Sequence, residues 1–120
     1  MTTKRKQELG DCYESAAKNM MKIGANKSGE HFRLIHAEVA GQGRLEGVTY
    51  GHAFLLDTKN NMIVDTSNGR DLHLPKSLYY ALGCIDEIGN IYEYTHLETL
   101  NNLVKFKHYG PWELITKSGY

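Results

Sequence analysis

From His31 to Ala40 the chain alternates in the period of a β-strand. Phe32, Leu34 and His36 fall on one side, and Arg33, Ile35, Ala37 and Val39 on the other. Two further apolar-rich runs, about 48–57 and 62–66, flank Thr58-Lys59-Asn60-Asn61. Short runs around turn-formers predict a β-hairpin. With Lys59-Asn60 as the turn, Thr58 faces Asn61, paired residue numbers sum to 119, and Phe54 opposes Asp65. His52 and Asp65 are then diagonal neighbours on one face, about 5–7 Å apart at Cβ. A slip of one residue would move Asp65 to the other face.

The period changes to that of a helix at Cys12, Ala16, Met20 and Ile23. Asp11 and Glu14 have the spacing of a capping box, and Gly24 is a natural stop. These signals predict a helix over 12–24 with Cys12 as its first residue, preceded by a polar, flexible arm over 1–9. Pro75 suits the first turn of a helix over about 75–82, ending at Gly83. The segment 85–94 reads as strand broken at Gly89-Asn90. Thr95 and Glu98 form a second capping box, opening a helix to about Lys107 that Tyr109-Gly110-Pro111 ends. Trp112 and Leu114 are expected to pack the tail onto the body. The prediction is one α+β domain over 1–120, its N-terminal helix packed on an antiparallel sheet with additional short helices.

Composition narrows the function classes. Lysine plus arginine and aspartate plus glutamate both number 14, giving no net charge. Nucleic-acid and anionic-membrane partners therefore lose their usual electrostatic support. Lys4, Arg5 and Lys6 form a local basic run, read as a solvated tail. No apolar stretch resembles a signal peptide or a membrane span. Two cysteines, Cys12 and Cys84, form neither a disulfide framework nor a zinc spacing, so free thiols in the cytoplasm are expected.

Three residues carry candidate chemistry. A thiolate is the attacking form of cysteine, and the start of a helix favours it through free N–H groups and the macrodipole. Cys12 is placed there, whereas Cys84 reads as core. An imidazole beside a carboxylate is an oriented base, and His52 with Asp65 supplies that pair. Asp65 can also cap the Thr66-Ser67-Asn68-Gly69 turn. His36, Glu38 and His31 are the candidates for a metal site with His52, but no zinc spacing supports one. Tyr79, Tyr80, Tyr92, Tyr94 and Tyr109 could line a cleft or pack the core and rim.

The order of these features resembles the transglutaminase-like core of the papain-like superfamily. It is carried by Gly10-Asp11-Cys12, Ile23-Gly24, Phe32 to Val39, Gly51-His52-Ala53-Phe54 and Val64-Asp65-Thr66, over about residues 10–67. Arylamine N-acetyltransferases, NlpC/P60-type amidases and double-glycine-leader peptidases are related Cys-His-Asp enzymes. The resemblance implies a triad of Cys12 as nucleophile, His52 as acid and base, and Asp65 as orienting group. The activity would be hydrolysis or transfer of an amide, peptide or thioester acyl group, on a peptide, protein or small amide, without cofactor or metal. Departures from the family are Phe54 where Trp is usual and Thr66 where Pro is usual. Gln7, the oxyanion-hole candidate, stands five rather than six residues before the cysteine. The Cys12 backbone N–H could supply one oxyanion donor. The alternative reading is an inactive papain-like scaffold acting as a protein-binding inhibitor or adaptor.

Overall fold

A computed structural model of the chain describes residues 2–41, 46–117 and 119, the side chains of 2–10 and 28 excepted. Among these residues the order is α1 (Thr2–Gly24), β1 (Phe32–Ala40), β2 (Thr49–Asp57), β3 (Met62–Asp65), β4 (Leu72–Pro75), α2 (Lys76–Leu82), β5 (Ile91–Tyr94) and α3 (His96–Phe106). The strands form one antiparallel sheet in the order β4-β3-β2-β1-β5. The α+β architecture matches the expectation from the sequence. No helix among the described residues is long and apolar enough to cross a membrane.

The hairpin has the expected register. Leu55 pairs with Val64, Leu56 with Ile63 and Asp57 with Met62. Asp57 fixes the connection by accepting from the backbone N–H of Lys59 (3.0 Å) and Asn60 (3.2 Å). The parity of β1 also holds. Leu34 packs with Cys12, Tyr13, Ala16 and Met20 of α1, while Ile35, Ala37 and Val39 pack with Phe54, Leu56 and Tyr80 on the opposite face. The capping box of α3 is present: Thr95 accepts from the Glu98 N–H, and Glu98 accepts from the Thr95 N–H. Leu114 is buried, and Trp112 packs against the α1 side of the core.

Four expectations are corrected. Residues 2–9 are helical, so α1 starts well before Cys12. Lys, Arg, Gln, Glu and Leu are good helix formers, and a helix tolerates Gly10 at a cost of about 1 kcal/mol. Asp11 does not cap: its carboxylate accepts from the Asn68 backbone N–H (2.9 Å), and Glu14 pairs with Lys18 (2.6 Å). Residues 85–90 are not strand, because Asp86 accepts from the Ile88 N–H (3.1 Å) and closes a turn; only Ile91–Tyr94 pairs with β1. Cys84 is an exposed free thiol with φ 51°, not a core residue. β4 was not anticipated from the sequence.

Candidate active site

β3 pairs with β2 only from Leu55 onward, so the first half of β2 extends past the end of β3. Parity places His52 with Phe54 and Leu56, on the face away from Ala53 and Leu55. Beyond Asp65 the chain turns towards α1 through the 3₁₀ turn Ser67–Gly69. Two contacts strap that turn to the helix. The Ser15 hydroxyl lies 2.8 Å from the Thr66 hydroxyl and donates to the Thr66 carbonyl (3.1 Å); Asp11 holds the Asn68 N–H. Residues 11 and 15 are one helical turn apart, on one side of α1. They bracket Cys12 and bring it to the open flank of β2.

His52 and Asp65 meet as the register requires. The imidazole Nε2 lies 2.8 Å from Asp65 Oδ2. A carboxylate only accepts, so Nε2 carries the proton and Nδ1 is the nitrogen left for another partner. The Cys12 sulfur raises the proton affinity of the ring. Burial alone would push His52 down, but the Asp65 bond and the Cys12 sulfur outweigh it and hold the imidazole up at about 9. Cys12 and Asp65 are each 2% exposed, and His52 is 9% exposed. The Tyr50 ring stands edge-on to His52, 6.0 Å between centroids.

Asp65 serves both roles assigned to it. Its Oδ1 accepts from the Ser67 N–H (2.9 Å) and Ser67 hydroxyl (2.7 Å), capping the turn. Its Oδ2 accepts from His52 and from the Tyr79 hydroxyl (2.8 Å). Burial would raise the carboxyl, yet the bonds from His52 and Ser67 hold it well below the usual carboxylate range. Tyr79 is the contributor that sequence reasoning left among five cleft tyrosines. Which of Tyr79 and Tyr80 faces Asp65 depends on the phase of α2, which a seven-residue helix does not reveal.

The placement of Cys12 inside α1 changes its chemistry. A residue in the body of an α-helix gives its N–H to the carbonyl four residues earlier. The Cys12 N–H is therefore not free for an oxyanion, and the macrodipole effect of a first turn does not reach it. Gln7 lies in α1, and its side chain falls outside the described residues.

The metal candidates are not brought together. His36 lies on the α1 face, opposite His52, and no group of three potential ligands exists among the described residues. His36 is fully buried, ringed by Tyr13 (5.0 Å), Tyr94 (5.1 Å) and Trp112 (5.0 Å), with neither ring nitrogen hydrogen-bonded. Glu38 instead accepts from Thr49 (2.6 Å), Asn90 (3.0 Å) and the Lys117 backbone N–H (2.9 Å). No protein-family model, curated protein or solved structure matches the chain.

Proposed function

We propose that the chain is a papain-like cysteine hydrolase or acyltransferase acting on an amide, peptide or thioester through Cys12, His52 and Asp65. The observation that carries this reading is the ring of His52, bonded through Nε2 to a buried Asp65, which leaves Nδ1 for a partner such as Cys12. In the proposed sequence Nδ1 has already taken the thiol proton, and the sulfur attacks the acyl carbon as a thiolate paired with the imidazolium. Collapse of the tetrahedral intermediate breaks the bond to the amine or thiol, which leaves with the proton from His52. The resulting thioester is resolved by water, giving an acid, or by an amine, giving a new amide; either step regenerates the thiol.

Two observations favour the alternative, a papain-like scaffold that binds a protein partner without turnover. Cys12 is 2% exposed, and its backbone N–H is spent within α1. Alkylation by iodoacetamide at neutral pH separates the readings, with exposed Cys84 as an internal reference. The enzyme reading expects Cys12 to react faster than Cys84 despite its burial, and to slow by about tenfold or more in His52→Ala, as loss of thiolate stabilisation requires. Labelling of Cys12 that is slower than that of Cys84 and indifferent to His52→Ala would leave the scaffold.

A further inference from the structure

We infer that Tyr79 is a positioning residue that sets the proton affinity of His52 by sharing its carboxylate partner. Asp65 has about four lone-pair sites, and four donors fill them: two from Ser67 on Oδ1, and His52 Nε2 and the Tyr79 hydroxyl on Oδ2. Nothing local to the hairpin requires the fourth donor. Ser67 already caps the turn, and His52 already has an acceptor. Tyr79 reaches Oδ2 from α2, across the sheet face. Its ring is held against Phe54 at 4.8 Å, and Phe54 lies beside His52 at 6.1 Å.

A second donor on one carboxylate oxygen withdraws charge from the bond that the same oxygen makes to an imidazolium. Tyr79 thus weakens the grip of Asp65 on the charged form of His52. Its own hydroxyl is pushed up, by burial first and then by the charge of Asp65, so it stays a donor wherever His52 titrates. The groups acting on His52 come from four elements: Cys12 from α1, Tyr50 from β2, Asp65 from β3 and Tyr79 from α2. Arg70, after β3, acts on Tyr50. Of these, Tyr79 alone reaches the ring solely through the carboxylate. Resting on the reading of His52 as the base for Cys12, its role is to lower the proton affinity of His52, so that the ring can both take and return a proton.

The test follows the His52 Cε1 resonance by NMR as a function of pH in the full chain. Tyr79→Phe is expected to move the His52 midpoint upward by about 0.5 pH unit or more. The same substitution in an Asp65→Asn background is expected to move it by less than about 0.2, since no carboxylate remains to be shared. If Tyr79→Phe does not fold, 3-fluorotyrosine placed at position 79 keeps the ring and strengthens the donor, and should move the midpoint down. An unmoved midpoint in a folded variant, or an equal shift in both backgrounds, overturns the inference. Failure of the enzyme reading is seen separately: Cys12 alkylation would ignore His52→Ala while the Tyr79-dependent shift persisted.

Discussion

His36 should set the acid limit of this fold, and replacing it with Phe should remove that limit. The imidazole has no exposure and no hydrogen-bond partner. Its neighbours Tyr13, Tyr94 and Trp112 come from α1, β5 and the tail, and none offers a negative charge. Burial therefore pushes it down from 6.5 to about 3. The sign follows from proton binding. Between those values the unfolded chain carries the proton and the folded chain does not, so stability falls as pH falls. From pH 6.5 to about pH 4.5 the cost integrates to about 2 kcal/mol. That is a large part of the stability of a small domain.

In His36→Phe the acid decline over this interval should shrink by that amount, while stability near neutral pH stays within about 1 kcal/mol or rises, because two unpaired buried nitrogens are removed. Urea unfolding followed by circular dichroism at several pH values reads the difference, which corresponds to a midpoint shift of about 1 M. The Gly110 backbone lies against His36 Cε1, so His36→Leu provides a less bulky second variant. If wild type and both variants lose the same stability on acidification, the neutral buried imidazole is refuted as the acid-sensitive element.

Asp65→Ala should cost about 3–5 kcal/mol in the same assay, because His52, Ser67 and Tyr79 would lose a buried acceptor together. It should also reduce an alkaline decline, by the part that Asp65 supplies. His52 is raised to about 9, so its contribution is complete below 6.5 and is lost as pH rises through about 9. Gly51→Ala should destabilise by about 1–3 kcal/mol, since the new methyl would overlap the Tyr13 hydroxyl and crowd Leu114 Cδ2 at 3.1 Å. Adding Tyr13→Phe should recover part of that loss; no recovery would mean that the clash lies elsewhere.

The hairpin was legible because two constraints agreed: a short turn around Lys59-Asn60 and a parity that buries Phe54, Leu56 and Ile63 together. That agreement alone put His52 and Asp65 on one face. The start of α1 was not legible, since Asp11 and Glu14 have capping spacing but are used otherwise, Asp11 on Asn68 and Glu14 on Lys18. β4 is four residues ending in Pro75, an edge strand whose existence depends on its pairing with β3 rather than on its own pattern. Cys84 follows Leu82-Gly83 and looked apolar in context. Its left-handed backbone turns it to the surface, while Ile85 returns to the core.

On the proposed reading, the position of Cys12 inside α1 moves the burden of activation: a thiol at the first turn of a helix would draw on the helix itself, whereas this one would draw on the His52 ring. The ring in turn depends on Asp65, and so does the turn that α1 is strapped to, because Ser67 is held by the other oxygen of the same carboxylate. Asp11 and Ser15 then fix the helix to that turn on either side of Cys12. One buried carboxylate therefore organises the imidazole with Oδ2 and, through Oδ1 and the turn, the docking of the thiol. Loss of Asp65 should misplace Cys12 as well as His52, whereas loss of Ser15 should misplace Cys12 and leave the His52–Asp65 bond intact.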